Sequence, residues 1–260
     1  MFLKKSLGQH FLKAQSILNA MCDAADIMPG DTVLEIGPGA GTLTSTLLEK
    51  RATVIALEKD RRLIPVLEER FASALAEKKL TLSEIDALDF DPSEITSTHY
   101  KIVANIPYYI TGAILEKFLS AKIQPSNMTL LMQKEVAQRI IARNSKESLL
   151  SISVKAYGDP FYIKTVSRQL FTPPPKVDSA ILTIKNISRK NFPSNVIEKN
   201  FFKIVKAGFR SKRKMLKNNL ATIAQEHRLL PEEFLRQADI NGQARAEDLT
   251  LLQWITLAHL

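Results

Sequence analysis

The chain has 260 residues, of which 45% are hydrophobic and 24% are charged. These proportions are typical of a folded globular protein, and they exclude a disordered or fibrous chain. The 36 Lys and Arg residues outnumber the 27 Asp and Glu residues, which gives a net charge of +9. A protein this basic is expected to bind a polyanion or an anionic surface.

Cysteine and histidine content excludes several kinds of site. Cys22 is the only cysteine, so the chain has no internal disulfide and no zinc site built on several thiolates, and a reducing compartment is expected. Three of the four histidines, His99, His227 and His259, show no ligand spacing, and we predict no metal. No apolar stretch approaches the roughly 18 residues of a membrane span, and the first 13 residues lack a signal-peptide core. We therefore expect a cytoplasmic protein with no membrane partner.

Short hydrophobic runs alternate with helical patterns between residues 30 and 187. This alternation predicts an α/β domain around a mostly parallel sheet. Seven strands are predicted, at Thr32–Ile36, Thr53–Leu57, Leu80–Ile85, Lys101–Ala104, Met128–Met132, Phe161–Val166 and Ala180–Lys185.

Strand signals stop after Ile187, and the remaining residues read as helices punctuated by turn residues. We therefore predict two domains, an α/β domain over residues 1–187 and a small all-helical domain over residues 188–260. Most of the excess positive charge lies in the second of these segments.

A glycine-rich turn follows the first predicted strand. Gly37, Gly39 and Gly41 precede a helix that begins at Thr42, so the backbone and a helix N-terminus can approach a ligand there. The Gly-x-Gly-x-Gly spacing differs from the Gly-x-Gly-x-x-Gly of nicotinamide enzymes. Taken alone, the glycines can equally end the strand for steric reasons.

Glu58 ends the next strand about 20 residues later. An acidic side chain at this position of such a fold accepts hydrogen bonds from ribose hydroxyls, which favours a nucleoside cofactor.

Two further strand ends carry polar groups. Asp86 follows the third strand, where its carboxylate can accept a hydrogen bond from an adenine amine or, alternatively, cap a turn. Asn105-Ile106-Pro107-Tyr108 directly follows the fourth strand. Because ligands of open α/β sheets bind at the carboxyl ends of the strands, we expect these residues to share one crevice.

The tetrapeptide at residues 105–108 resembles the signature of S-adenosylmethionine-dependent methyltransferases that modify exocyclic amino groups. Other blocks of the chain, in the same order, are similar to those of the ribosomal RNA adenine dimethyltransferases, and most similar to the bacterial small-subunit members. These blocks lie at residues 9–12, 34–42, 58, 86–88, 133–139, 171–179 and 209–214.

The resemblance implies a Rossmann-like class I methyltransferase domain that uses S-adenosylmethionine, followed by a helical RNA-binding domain. At residue 10 a histidine stands where the family more often has asparagine. The residues expected to contact the cofactor are His10, Leu12, Gly37, Gly39, Glu58, Asp86 and Asn105.

The resemblance also implies how an adenine amine is activated. The amine is a poor nucleophile, and hydrogen bonds to the Asn105 side-chain oxygen and to a carbonyl near Pro107 would align its lone pair with the methyl group. Tyr108 is expected to stack on the target base, and Pro107 keeps the loop rigid. Phe171 is expected to cover the other side of the base, although a role in the core stays open for it.

A run of basic residues without acids extends from Lys199 to Lys217. Spacings of three and four predict a basic stripe on one helix, which Gly208 can interrupt, beside an apolar face. A face of one charge sign favours phosphate binding over a merely solvated surface. The predicted RNA-binding residues are Lys206, Arg210, Lys212, Arg213 and Lys214.

By resemblance, the expected activity is N6,N6-dimethylation of two adjacent adenosines near the 3′ end of 16S rRNA within the immature small subunit, by a monomer. Three alternatives remain: a large-subunit rRNA adenine methyltransferase of the antibiotic-resistance type, a noncatalytic RNA-binding or transcription factor with this fold, and a small-molecule methyltransferase. The basic segment argues against the last, and Asn105 argues against a noncatalytic protein.

Overall fold

A computed structural model of the protein describes residues 10–95, 97 and 99–260. Gln9, which opens the first block of the resemblance, lies outside the described residues. The chain divides into two compact units, residues 1–137 with 159–187 and residues 138–158 with 188–260. Residue 187 thus ends the first unit, as it ends the first predicted domain. Residues 138–158, which we predict in the first domain, instead belong to the second unit, because their helix packs on a helix of that unit.

The first unit is organised around a seven-stranded sheet, and all seven predicted strands are confirmed. Their bounds are β2 Thr32–Ile36, β3 Thr53–Glu58, β4 Leu80–Glu84, β5 Tyr100–Asn105, β6 Asn127–Gln133, β7 Asp159–Val166 and β9 Ser179–Lys185. The strand order in the sheet is β4-β3-β2-β5-β6-β9-β7. Neighbouring strands are parallel from β4 to β6, and β9 runs antiparallel to both β6 and β7.

Two very short strands that we do not predict form a separate antiparallel pair. Strand β1 spans Phe11–Leu12 and strand β8 spans Phe171–Thr172, with Leu12 opposite Phe171. Two residues are too few for a periodic pattern to reveal. The pair places the start of the described chain beside Phe171.

Helices connect the parallel strands, as parallel pairing requires. The central strands are buried on both faces, which explains their nearly continuous apolar sequence. The helices in this part of the chain are α1 Gln15–Ala24, α2 Thr42–Glu49, α3 Ile64–Arg70, α4 Ala72–Ala76, α5 Thr111–Leu119 and α6 Lys134–Ile140. None of the helices that the structure describes combines the length and apolar character needed to span a bilayer.

In the second unit, every regular element that the structure describes is helical, as predicted for residues 188–260. Its core contains Phe201, Phe234 and Trp254, all completely buried. The α-helices are α7 Leu149–Lys155, α8 Asn195–Gly208, α9 Leu216–Asn219, α10 Ala221–Glu226, α11 Pro231–Arg236 and α12 Leu251–His259.

The basic stripe does not lie on one continuous helix, because the interruption that the sequence allows at Gly208 is present. Helix α8 ends there, a 3₁₀ turn spans Phe209–Ser211, and helix α9 begins at Leu216. A side chain at Gly208 would collide with the Trp254 ring, so glycine lets α12 pack closely at this point. The Asn219 amide donates to the Gly208 carbonyl at 2.7 Å and to the Ser211 carbonyl at 3.1 Å, which satisfies acceptors left free where the helix ends.

Two helical glycines should respond oppositely to alanine. Gly208→Ala places a methyl group against Trp254 and should lower the free energy of unfolding by about 1–3 kcal/mol. At Gly112 in α5 nothing lies within 4 Å of the added methyl. There, helix propensity should raise the free energy of unfolding by about 0.5 kcal/mol. Urea denaturation of both variants measures their free energies of unfolding. Equal changes in the two variants would contradict the contact between residue 208 and Trp254.

Candidate active site

A cavity of about 240 Å³ lies in the first unit at the carboxyl ends of β2, β3, β4 and β5. Its walls come from segments far apart in sequence that the parallel sheet brings to one edge. The lining includes every residue that we predict for cofactor binding or catalysis, namely His10, Leu12, Gly37, Gly39, Glu58, Asp86, Asn105, Pro107, Tyr108 and Phe171.

The glycine turn after β2 forms part of the floor of this cavity. Gly37 has φ +69°, a conformation that favours glycine, and nothing lies within 4 Å of the position where a Cβ would stand. The backbone at Gly37 is therefore open to a ligand. Gly39 has φ +58°, and a Cβ there would lie 2.8 Å from the Phe11 ring. Glycine at this position thus allows β1 to close over the turn.

Glu58 ends β3 and connects two parts of the site. One carboxylate oxygen accepts from the Gly39 N–H at 3.1 Å and the other from the Asp60 N–H at 2.7 Å. Burial raises the pKa of Glu58 above its usual value, despite these two hydrogen bonds. Each carboxylate oxygen has a further lone pair, so the side chain can also accept from ligand hydroxyls.

Asp86 both caps a turn and lines the cavity. One of its oxygens accepts from the Leu88 N–H at 3.0 Å, and the other lies 2.5 Å from the Lys59 ammonium. Partial burial favours the protonated acid, but the hydrogen bonds from Lys59 and Leu88 outweigh it and lower the pKa of Asp86. Lys59, which sequence reasoning missed, directly follows Glu58 and also lines the cavity.

The end of β5 and the turn that follows it are each held by a side-chain hydrogen bond. The Asn105 amide donates to the His10 carbonyl at 3.2 Å, which leaves the Asn105 side-chain oxygen free to accept as far as the described residues show. A 3₁₀ turn over Tyr108–Ile110 follows Pro107, and the Tyr108 hydroxyl lies 2.6 Å from the Ser179 hydroxyl. Burial raises the pKa of Tyr108, so its phenol stays neutral. Ser179 on β9 was not predicted from the sequence.

The aromatic groups beside this segment differ in exposure. Phe171 is 3% exposed and belongs to the hydrophobic core, yet it also lines the cavity. Phe171 therefore has both positions that the sequence allowed, in the hydrophobic core and at the wall of the cavity. Tyr109 lines the same cavity and is 65% exposed.

Glu35 is a cavity-lining acid that sequence reasoning missed. It lies within β2, is almost completely buried, and accepts from the Thr44 hydroxyl at 2.7 Å. Burial raises the pKa of Glu35 to about 8, and the Glu58 carboxylate adds to this effect. One feature of the sequence could have indicated it. Glu35 is an acidic residue inside an otherwise apolar strand, and acidic residues are almost never fully buried unless they are paired.

The predicted RNA-binding residues all lie on the second unit, at the end of α8 and in the turns that follow. All five side chains are exposed, and none forms an ion pair with any residue that the structure describes; they are Lys206, Arg210, Lys212, Arg213 and Lys214. Two other members of the predicted stripe are paired, Lys203 with Glu226 and Lys217 with Glu232. The acids come from α10 and α11, so the stripe carries fewer free charges than its sequence indicates.

Across the described part of the chain, no three His, Cys, Asp or Glu side chains converge in a way that could hold a metal ion.

Comparison with solved structures identifies the class of protein. The 23S rRNA methyltransferase ErmE superimposes with a TM-score of 0.76 at 26% identity, covering 96% of this chain and 98% of that one. A dimethyladenosine transferase from Plasmodium falciparum gives a TM-score of 0.77 at 28% identity, covering 95% and 96%. The fold is that of the Rossmann-like methyltransferases.

Sequence comparison is more specific. The sequence profile of the ribosomal RNA adenine dimethylases matches residues 2–260. A ribosomal RNA small subunit methyltransferase A from Dehalococcoides mccartyi is 42% identical, with 96% of this chain and 86% of that protein covered. Its counterpart from Fusobacterium nucleatum is 38% identical, with 98% and 96% covered. This chain belongs to the ribosomal RNA adenine dimethylase family.

The raised pKa of Glu35 predicts a pH-dependent stability. Between the ordinary carboxyl pKa and about 8, the folded protein keeps a proton that the unfolded chain has lost. This contribution to the free energy of unfolding is complete at low pH and is lost as pH rises through about 8, with a slope of up to about 1.4 kcal/mol per pH unit.

Glu35→Gln cannot titrate, so its free energy of unfolding should depend less steeply on pH than that of the unsubstituted protein. Urea denaturation of the ligand-free protein between about pH 5 and about pH 8 measures the slope. Glu49→Gln, at an exposed position on α2, serves as the control and should keep the original slope. An unchanged slope in Glu35→Gln would show that Glu35 ionises normally.

Proposed function

We propose that this protein is an rRNA adenine N6,N6-dimethyltransferase. It transfers methyl groups from S-adenosylmethionine to two adjacent adenosines near the 3′ end of 16S rRNA during maturation of the small subunit, as a monomer in the cytoplasm. The observation that carries the proposal is the convergence of the glycine turn, Glu58, Asp86 and the segment 105–108 on one cavity.

The residues of the cavity fit S-adenosylmethionine. The open backbone at Gly37 and the helix that follows would receive its amino-acid portion, beside Leu12 and His10. Glu58 would accept from the ribose hydroxyls and Asp86 from the adenine amine. When bound, the cofactor supplies a methyl carbon activated by its attachment to a positively charged sulfur.

Asn105 provides the acceptor for the target amine. One N–H of its amide donates to the His10 carbonyl, and its side-chain oxygen, which accepts from none of the described residues, is available to a ligand. A hydrogen bond from the target amine to this oxygen, and another to the backbone near Pro107, would direct the nitrogen lone pair at the methyl carbon. The cofactor, when bound, would supply the methyl group to this nitrogen and keep the electron pair of its carbon–sulfur bond. The amine proton then passes to water.

Tyr108 and Phe171 provide apolar contact for a base extruded from the RNA. The hydrogen bond to Ser179 holds the Tyr108 ring in one orientation, and the packing of Phe171 in the core holds the other ring. Rigid aromatic rings stack on a base without losing further side-chain freedom. The base would thereby be positioned before the methyl group is transferred.

We propose that the second unit binds RNA while the first performs the chemistry. The five exposed basic side chains at residues 206–214 would contact phosphates, which supply affinity but carry no sequence information. Selection of the two adenosines would then depend on the shape of the RNA and on unstacked bases. An immature small subunit offers both.

The large-subunit methyltransferases remain the second candidate because ErmE resembles this chain over 96% of its length. Incubation with labelled S-adenosylmethionine and either immature small subunits or large subunits separates the two functions. Labelling of adjacent adenosines near the 3′ end of 16S rRNA supports our proposal, whereas labelling of 23S rRNA alone supports the alternative. Failure to bind the cofactor while binding RNA would instead indicate a noncatalytic protein.

Asn105→Ala should reduce methyl transfer to small subunits at least about 100-fold, since it removes the acceptor that aligns the amine. Binding of S-adenosylhomocysteine, measured by calorimetry, verifies that the cavity is intact. Asn19→Ala, on the exposed face of α1, is the matched control and should keep full activity. Undiminished transfer by Asn105→Ala would remove the basis of the proposed mechanism.

Neutralising Arg210, Lys212 and Arg213 together, each to Gln, should weaken RNA binding. The slope of log affinity against log salt should decrease by about 0.7–0.9 for each phosphate that is no longer neutralised, while affinity for S-adenosylhomocysteine stays unchanged. The control removes the same charge at exposed positions elsewhere, by changing Lys78, Lys79 and Arg236 to Gln. Equal salt slopes in the two triple variants would exclude this segment as the RNA-binding surface.

A further inference from the structure

Lys59 lines the cavity beside Asp86, the carboxylate proposed to accept from the adenine amine of the cofactor. The Lys59 ammonium lies 2.5 Å from one Asp86 oxygen, and the Leu88 N–H donates to the other at 3.0 Å. A carboxylate offers about four lone-pair positions, so each oxygen can still accept from a ligand. The Asp86 side chain is thus held at both oxygens without being closed to the cofactor.

The pairing of β3 with β4 brings Lys59 and Asp86 together. Glu58, the last residue of β3, stands opposite Glu84 in the register of the two strands, and the Ile85 N–H donates to the Glu58 carbonyl at 3.0 Å. Lys59 and Asp86 are the next residues on the two chain segments. Their contact therefore follows from the register of the sheet and does not depend on a bound ligand.

The ion pair matters for the carboxylate more than for folding. The Lys59 side chain is 59% exposed and that of Asp86 is 21% exposed, and water screens a pair this exposed, so it adds little stability. Its effect on Asp86 is larger. Partial burial favours the protonated acid, and the hydrogen bonds from Lys59 and Leu88 lower the pKa of Asp86 despite that burial.

The charge state of Asp86 decides which purine it can recognise. An ionised carboxylate only accepts hydrogen bonds, whereas the protonated acid also donates one. An amino group at carbon 6 of a purine donates to an acceptor, but a carbonyl oxygen at the same carbon needs a donor. A carboxylate that is kept ionised and fixed in orientation therefore favours adenine over hypoxanthine.

We propose that Lys59 is a positioning residue that keeps the Asp86 carboxylate ionised and oriented, and thereby makes the cofactor site selective for adenine over a 6-oxopurine. This inference rests on the proposed use of S-adenosylmethionine and specifies how its base is recognised. Because Lys59 acts through Asp86, its loss should change the selectivity for the base and leave the rest of the cofactor site intact.

Four other titratable groups lie near the pair, namely Glu58, Asp89, Tyr109 and Lys117. Lys117 on α5 donates to the Leu88 carbonyl at 2.8 Å and adds to the lowering of the Asp86 pKa. Glu58 has a raised pKa and would bind the ribose. Two ligands that differ only in the base share that ribose, so the effect of Glu58 cancels in the ratio of their affinities.

Calorimetry with two such ligands tests the role of Lys59. S-adenosylhomocysteine carries the 6-amino group, and S-inosylhomocysteine carries an oxygen in its place. Lys59→Met removes the charge and keeps the length of the side chain, whereas Lys59→Arg keeps a charged donor. Lys50→Met is the matched control, because Lys50 forms an ion pair of 2.7 Å with Asp23 and neither residue lines the cavity.

We expect Lys59→Met to reduce the preference for S-adenosylhomocysteine about 10-fold at about pH 7, the size of one oriented hydrogen bond to a charged group. The reduction should grow as the pH is lowered to about 5, because without Lys59 the pKa of Asp86 rises and the carboxylate takes up a proton. Lys59→Arg and Lys50→Met should keep the preference within about threefold across this range. Thermal unfolding should be unchanged in all three variants.

Three results would overturn the inference: an unchanged ratio of affinities in Lys59→Met, an equal change of this ratio in Lys50→Met, or an equal change in Lys59→Arg. Failure of the proposed function looks different. If the RNA substrate is wrong, the unsubstituted protein does not methylate small subunits, while the ratios of affinities keep the expected pattern.

Discussion

The site depends on the parallel pairing of β2 with its neighbours. In parallel strands every carboxyl end lies at the same edge, so chain segments separated by many residues meet there. The hydrogen bond between Glu58 and the Gly39 N–H joins the end of β3 to the turn after β2. Asp86 and Asn105 reach the same cavity because β4 and β5 continue that pattern on either side.

The strands of this sheet could be predicted because burial on both faces leaves an apolar run that a single sequence displays. The β1–β8 pair could not, since two residues carry no periodicity and their partners are far away in the chain. The end of α8 was predictable only as a possibility. A glycine is visible at residue 208, but the contact that makes it necessary comes from Trp254, on a different helix.

The candidate active site was likewise predictable only in part. The groups at Glu58, Asp86 and Asn105 were predictable because each directly follows or ends a strand. Glu35 affects the site because it is buried, and burial cannot be predicted from the spacing of residues in the sequence. Ser179 affects the site through its hydrogen bond with the Tyr108 hydroxyl, and that contact depends on the fold. Ion pairs with acids from other helices likewise reduce the free charge of the predicted basic stripe.

The bonds from Asn219 to the Gly208 and Ser211 carbonyls have a consequence for association with a polyanion. A flexible basic loop must lose conformational freedom when it meets its partner, and that loss subtracts from affinity. Here the loop's path is already restricted in the folded protein. In the RNA complex that we propose, ordering of the backbone at Gly208 and Ser211 therefore subtracts less from the affinity.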